Sequence, residues 1–231
     1  MNAIIPLALD TLSSAALIFF AAVGLTLVFN VLRVLNVAHG SFYSIGAYVA
    51  ASLCLFIVSR QLNPYLSFVV LLFSAVLVAV ILGPLIESTL IRWTYGKSEA
   101  VQILITFGLF LILEDVQRIV FGVQSLYEDA PMRLMGSTAI GGIVYLNYQI
   151  ALIAMAVLVV IGLRLLIKHT RYGRLITAVV FDREMAQSIG IDTNRIFILA
   201  FSLGVFLAAL GGALAVPTSG VAPGLGADTM V

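Results

Sequence analysis

The sequence predicts an all-α fold, a polytopic bundle of transmembrane helices, and three observations carry that prediction. Hydrophobic residues occupy 62% of the 231 positions and charged residues only 10%, whereas soluble domains carry about a quarter charged residues. The mean hydropathy is +1.16. Apolar runs also recur at about the 20-residue length that a helix needs to cross a membrane. An ordinary globular domain is excluded, and residues 1–231 are predicted to form a single transmembrane domain.

Six segments are long and apolar enough to be predicted as spans. They are approximately residues 11–32, 41–59, 65–87, 101–121, 148–167 and 196–216. The fourth is the least apolar, because charged and polar residues interrupt it between Glu114 and Arg118. Gly83 and Pro84 predict a kink or an early stop in the third. The N-terminus shows neither a basic region nor a cleavage site of a signal peptide, so the first segment is expected to remain as a span.

Basic residues fall mainly on one side of the predicted membrane. When the spans alternate, nine of the twelve lie on the side of the 168–195 loop. These nine are Arg33, Arg92, Lys97, Arg164, Lys168, Arg171, Arg174, Arg183 and Arg195. The opposite side has Arg60, Arg118 and Arg133. Because cytoplasmic loops are enriched in Lys and Arg, this bias predicts that the 168–195 loop is cytoplasmic and that the N-terminus lies outside.

The last span carries small residues at a regular spacing. Gly204, Ala208 and Gly212 are four residues apart, so they share one face of a helix. Small residues let two helix backbones approach closely in a membrane. We expect this face to pack within the chain rather than to form a seam between two copies.

Polar residues interrupt the apolar pattern between the first and second spans. Asn30, Arg33 and Asn36 recur every three residues, His39 continues the series and Ser41 follows. In a continued helix these side chains would form one stripe, which is costly against lipid and is expected to face protein or water. The glycine after His39 indicates a break in the helix at this point, which leaves backbone groups that need partners within the protein.

Two interpretations of this break stay open. It is either a short cytoplasmic turn whose polar groups cap the two helices, or a discontinuous element that lines the permeation route. On the second interpretation the translocation-path candidates are Asn30, Asn36, His39 and Ser41. No Cys, Asp or Glu accompanies His39 in this stretch, so we expect neither a metal site nor a catalytic residue here.

Within the basic loop, residues 182–190 have the signals of a short helix. The residues concerned are Asp182, Glu184, Met185, Ala186, Ile189 and Gly190. Asp182 is a favourable N-cap, and the acidic residue in the first turn complements the helix dipole. Met185 and Ile189, with Ala186 beside them, are predicted to form a small apolar face. Gly190 is typical of a helix end. A helix this short is not stable alone, so the membrane interface, the protein's own surface or a partner must cover it.

The segment Gly24–Tyr48 resembles a signature of the permease subunits of branched-chain amino-acid ABC importers. It reads GLTLVFNVLRVLNVAHGSFYSIGAY, and family members typically read Gly-Leu-x-Leu-x-Phe-Gly-Val-Leu-Arg-x-x-Asn-x-Ala-His-Gly. Asn30 replaces the family's usual glycine. The similarity continues through Ile105–Asp115 and Thr170–Gly212. Residues Glu184–Gly190 are similar to the EAA-x-x-x-G coupling helix that fits a groove on the ATPase subunit, although methionine replaces the central alanine.

The resemblance implies a subunit that forms half of a translocation path for branched-chain or related amino acids in the bacterial inner membrane. Its implied partners are a second permease of the same family, two cytoplasmic ATP-binding subunits and a periplasmic or extracellular substrate-binding protein, with no nucleic acid. The chain would not be an enzyme and would bind no cofactor or metal. ATP would be hydrolysed by the partners, since no phosphate loop of the Gly-x-x-x-x-Gly-Lys type is present in the sequence.

Other functions remain open at this stage. Urea and short-amide permeases are close relatives of the same family. A secondary transporter or a channel is a further alternative, but Glu87, Glu114 and Asp115 lie toward the ends of the predicted spans, whereas a proton relay needs ionisable groups deep in the bundle. Because family members usually continue with further helices, the chain is also expected to be C-terminally truncated, and a non-transporting truncated paralogue is a third alternative.

Overall fold

Helices dominate the computed structural model, which describes residues 4–140 and 143–229. They are α1 (Ile4–Leu32), α2 (His39–Ser59), α3 (Leu66–Thr89), α4 (Glu99–Phe121), α5 (Ala130–Met135), α6 (Asn147–His169), α7 (Arg171–Phe181), α8 (Arg183–Ser188), α9 (Thr193–Ser219) and α10 (Leu225–Asp228). A 3-10 turn, Ile91–Thr94, follows α3, and an antiparallel hairpin of β1 (Ser137–Ile140) and β2 (Ile143–Leu146) precedes α6. The predicted helical bundle is confirmed, and the hairpin is an unpredicted addition.

Five helices of the described chain are long and apolar enough to cross a membrane: α1, α2, α3 with the turn after it, α6 and α9. The predicted fourth span is also a helix, α4, but it is not among these five, and its last turns are charged. Arg118 there pairs with Glu114 at 2.6 Å and with Asp115 at 3.5 Å. The expected early stop in the third span is wrong, since α3 runs through Pro84 to Thr89.

The core of the bundle forms around α9, which packs against α1, α2 and α3. A methyl group added at Gly24 of α1 would lie 2.6 Å from the Gly204 carbonyl of α9, and one at Gly212 would overlap the Tyr43 carbonyl of α2. The backbones therefore touch at positions where any larger residue would hold them apart. This confirms that the small-residue face of the last span packs within the chain.

The helix α6 lies at the periphery of the bundle. Only Tyr148 and Leu152 of this helix are buried, and the Tyr148 hydroxyl donates a 2.8 Å hydrogen bond to the Leu214 carbonyl of α9. Most other residues of α6 are apolar and partly or fully exposed. In a bilayer such a surface contacts lipid or a neighbouring subunit.

The loops that carry most of the basic residues, and that were predicted to lie on one side of the membrane, lie together in the structure. Arg33, Lys97 and Arg183, from three different connections, line one cleft. Pro64 and Arg133, from connections assigned to the other side, line a separate pocket at the far end of the bundle. The alternation of the spans therefore agrees with the packing of the chain.

Candidate translocation and coupling site

The polar break occupies residues 33–38. Helix α1 ends at Leu32, Arg33 has a φ of +56°, and α2 begins at His39. The break thus precedes His39 instead of following it, and the polar residues do not form one continuous helical stripe. A left-handed residue just past a helix is a common way to end it, although glycine usually occupies that position. The chain then runs non-helically back to the bundle.

Two side chains of α4 hold this non-helical segment in place. The Leu35 amide donates to Gln102 Oε1 at 3.3 Å. The Val37 amide donates to the Thr106 hydroxyl at 3.2 Å, and that hydroxyl lies 3.1 Å from the Leu35 carbonyl. A backbone group without a partner costs several kcal/mol inside a membrane, so these contacts are what permits the break. Gln102 and Thr106 were not among the predicted site residues. Their i, i+4 spacing in the apolar first half of α4 was the available signal.

We expect Thr106→Val to lower the stability of the fold because it removes the hydroxyl that serves two backbone groups of the break. The loss should be about 1–3 kcal/mol, the usual cost of leaving buried polar groups unpaired. Thermal unfolding in detergent measures it. Thr26→Val is the matched control, since Thr26 is exposed and its hydroxyl bonds only the Ala22 carbonyl of its own helix. Equal Tm values for the two variants would contradict the assigned role of Thr106.

Three of the four path candidates are buried together with unused hydrogen-bonding atoms. Asn36 Oδ1 accepts from the Ala38 amide at 3.2 Å. Four other buried atoms have no hydrogen-bond partner among the described residues: Asn36 Nδ2, both ring nitrogens of His39 and Ser41 Oγ. Unpaired buried polar atoms are rare and need an explanation such as water, a ligand or a second conformation. Asn30 differs because it is exposed on α1, but it lines a groove of about 510 Å³ together with Asn36. It therefore adjoins the buried group without being part of it, and its place in a path stays a prediction.

The surroundings of these atoms are tightly packed. The His39 ring lies against α1, where a methyl group at Gly24 would be 2.9 Å from Nε2. Ser41 faces a cavity of about 10 Å³ that it shares with Gln117 and the start of α10, which is room for about one water molecule. An amino acid does not fit there. The described conformation is therefore closed around His39 and Ser41, whereas Asn36 borders the groove beside Asn30.

The predicted cytoplasmic loop contains two helices, α7 and α8, where sequence analysis expected one. Thr170 caps α7 by accepting from the Gly173 amide at 3.0 Å, and Ile176 and Val179 of α7 are buried against the bundle. The periodic apolar residues after Thr170 were the signal for this helix. Helix α7 packs on α1, α6 and α9 and connects directly to α8, which contacts α9.

Helix α8 has the predicted ends but divides its apolar residues between two sides. Asp182 accepts from the Met185 amide at 2.9 Å, and Gly190 is left-handed with a φ of +86°. Ala186 is buried, whereas Met185 and Ile189 are 61% and 69% exposed. The expectation that Ala186 shares their face is wrong, because it faces the bundle. Phe181, at the end of α7, is 91% exposed and extends the outward apolar surface.

A chain of contacts links α8 to the buried end of α3. The Arg183 guanidinium lies 4.8 Å from the ring centroid of Phe197 and 5.6 Å from that of Tyr95. The Tyr95 hydroxyl donates to Glu87 at 2.8 Å, and Arg92 pairs with the same carboxylate at 3.0 Å. Burial and the bond to Glu87 raise the pKa of Tyr95, so its hydroxyl remains a donor at neutral pH.

The chain matches the family described as branched-chain amino acid transport system, permease component, over residues 7–231. The chain belongs to this family. This permease is 29% identical over 212 residues to BraD of Pseudomonas aeruginosa, a high-affinity branched-chain amino acid transport system permease protein. The alignment covers 89% of this chain and 68% of BraD. No solved structure matches the chain.

Two relatives named LivH extend the comparison. The high-affinity branched-chain amino acid transport permease LivH of Escherichia coli K12 is 26% identical over 203 residues, and the probable LivH of Methanocaldococcus jannaschii is 29% identical over 212 residues. These alignments cover 84% and 86% of this permease but 64% and 62% of the relatives. The chain therefore spans a little under two thirds of the length of these LivH proteins.

In this permease we expect Tyr95→Phe to destabilise the connection between α3 and α8. The substitution leaves the buried Glu87 carboxylate with one donor fewer, which costs about 1–3 kcal/mol. Thermal unfolding in detergent would show the loss as a lower Tm. Tyr172→Phe makes the same chemical change at an exposed tyrosine of α7 and should leave the Tm unchanged. A Tm of Tyr95→Phe equal to that of the control would show that the hydrogen bond to Glu87 is not stabilising.

Proposed function

We propose that this multi-pass membrane protein is the permease subunit of an ATP-driven importer of branched-chain or related amino acids. It resides in the bacterial cytoplasmic membrane with its N-terminus outside and forms half of the translocation path. A second permease of the same family forms the other half, two cytoplasmic subunits hydrolyse ATP, and an extracytoplasmic binding protein delivers the substrate. The chain itself binds no cofactor. The names of BraD and LivH and the family match support this proposal.

The observation that carries the coupling part of the proposal is the exposed apolar surface of the loop. Phe181, Met185 and Ile189 are each more than half exposed and lie among basic residues on the side predicted to be cytoplasmic. Apolar residues surrounded by charges are typical of a docking surface, with the charges setting orientation and encounter rate. Asp182 and Gly190 end the helix, Glu184 stabilises its first turn, and Ala186 attaches it to the bundle.

The translocation part of the proposal rests on Asn36, His39 and Ser41. Their unused donors and acceptors can replace part of the hydration of a zwitterionic substrate. A path must bind its substrate well enough to admit it and weakly enough to release it. Because the described conformation is closed, substrate passage requires α2 to separate from α1 or α4.

Uptake of labelled leucine into proteoliposomes that contain the permease with its cognate partners tests the proposal. We expect uptake only when ATP is present on the side of the membrane that carries the ATP-binding subunits and the binding protein is present on the other side. Unlabelled isoleucine and valine should compete with leucine. A protonophore at constant ATP should have no effect. Uptake that collapses with the proton gradient would establish a secondary transporter, and uptake of urea or acetamide without leucine would establish an amide permease.

A further inference from the structure

An open cleft of about 430 Å³ lies on the side of the bundle predicted to be cytoplasmic. Its walls come from the end of α1, the turn before α4, the end of α7, the start of α8 and α9. Three basic side chains line it: Arg33, Lys97 and Arg183. Glu99 is the only acidic residue in its lining. The cleft is therefore positively charged overall.

None of these three cations has a carboxylate partner within 4.0 Å in residues 4–140 and 143–229. The Arg183 guanidinium lies over the rings of Tyr95 and Phe197, and these contacts do not pair its N–H groups with a carboxylate, so the N–H groups stay available to an anion. Like charges that line one cleft repel each other. An anion bound between them would remove that repulsion and satisfy their donors.

Arg33 of the cleft also has a left-handed backbone, with a φ of +56°. This conformation costs free energy for any residue with a Cβ, whereas glycine adopts it freely. Gln61, past the end of α2, is left-handed as well, so the conformation alone does not define a site. Arg33 differs because it also lines the cationic cleft.

An apolar groove adjoins the cleft. It lies between α1, α6 and α7, has a volume of about 410 Å³, and shares Val31 and Val180 with the lining of the cleft. Leu163 and Ile167 of α6 form its far wall. A cationic cleft beside an apolar groove at the edge of a transmembrane bundle has the two chemical halves of an anionic phospholipid.

We propose that the cleft binds the phosphate group of an anionic phospholipid, with an acyl chain along the adjoining groove. The bound phosphate bridges the end of α1 and the first residue of α8, Arg183. The lipid thereby restrains the proposed coupling helix relative to the non-helical break. The buried path candidates Asn36, His39 and Ser41 do not line this site, and lipid binding does not depend on the proposed substrate. Its effect on the coupling helix rests on the proposed function.

Native mass spectrometry of the delipidated protein, titrated with phosphatidylglycerol or with phosphatidylcholine, tests the proposal. We expect the wild type to prefer phosphatidylglycerol. Arg33→Gly with Lys97→Gln should weaken that binding about thirtyfold, since each basic residue contributes about a factor of five near an anionic lipid. The control is Arg164→Gln with Lys168→Gln, which removes the same charge from exposed residues of the same predicted side outside the cleft; it should change binding less than about twofold.

The Arg33→Gly substitution separates binding from folding. Glycine tolerates the left-handed backbone, so this variant should unfold at a Tm no lower than that of the wild type while binding the anionic lipid more weakly. Loss of folding together with binding would indicate a structural role for the side chain and would overturn the proposal. Equal weakening in the Arg164 and Lys168 control would show general surface attraction, which also overturns it.

Inorganic phosphate distinguishes the source of the anion. Free phosphate would be the ligand if it raises the Tm of the delipidated wild type but not that of the cleft variant, and if the wild type shows no preference between the two lipids. The cleft would then still be an anion site. Absence of both effects would overturn the proposal. So would a cleft variant that binds lipid normally but no longer co-purifies with the ATP-binding subunit, because a carboxylate of the partner would then be the occupant.

Discussion

Replacing Met185 and Ile189 together with aspartate should abolish co-purification of the ATP-binding subunit while leaving the permease in the membrane. Both side chains are exposed in the isolated chain, so the substitutions cost the free permease little. In the docked complex they would bury two unpaired carboxylates, each at a cost of about 3–5 kcal/mol. Binding should weaken by more than about 100-fold. The measurement is affinity purification of the permease followed by quantification of the bound ATPase.

The control for this experiment adds the same charges at neighbouring polar positions. Ser188→Asp with Asn194→Asp introduces two carboxylates at exposed residues of the same loop and should retain most of the bound ATPase. Phe181→Asp alone should weaken binding if the docking surface extends to the end of α7. Retention of the ATPase by the Met185 and Ile189 double variant would exclude α8 as the docking helix. Equal loss in the control would indicate a general effect of negative charge on this face.

Gly212→Ala should destabilise the bundle by about 1–3 kcal/mol, the typical cost of overpacking a well-packed core. The added methyl group would overlap the Tyr43 carbonyl of α2, and a backbone atom cannot rotate away as a side chain can. Both α2 and α9 must then shift, which loosens the packing that closes the His39 region. Thermal unfolding in detergent measures the effect as a lower Tm and a lower yield of folded protein.

The matched control is Gly162→Ala on α6. A methyl group there meets nothing within 4 Å, so the higher helix propensity of alanine should leave stability unchanged or raise it by up to about 1 kcal/mol. The two identical substitutions are therefore expected to differ in sign. If Gly212→Ala unfolds at the same temperature as Gly162→Ala, the close approach of α2 and α9 does not limit stability.

The local signals of the sequence were sufficient for the class of protein and for most of its elements. Span positions follow from the length of apolar runs, because a hydrocarbon core leaves few other choices. The ends of α8 follow from Asp182 and Gly190, because capping depends on residues within one turn. The grouping of the basic connections on one side follows from the alternation of the spans. Each of these features is set by neighbours in sequence.

The tertiary structure decided which residues meet across the chain. Gln102 and Thr106 support a segment about seventy residues earlier, and no local pattern specifies such a pair. The direction of Ala186 depends on where α7 places α8 against the bundle. The burial of Asn36 beside an exposed Asn30 depends on the left-handed turn at Arg33. Apolar length and capping are one-dimensional properties that a sequence displays directly. Hydrogen-bond partners of a broken helix are not, because they depend on how distant helices pack.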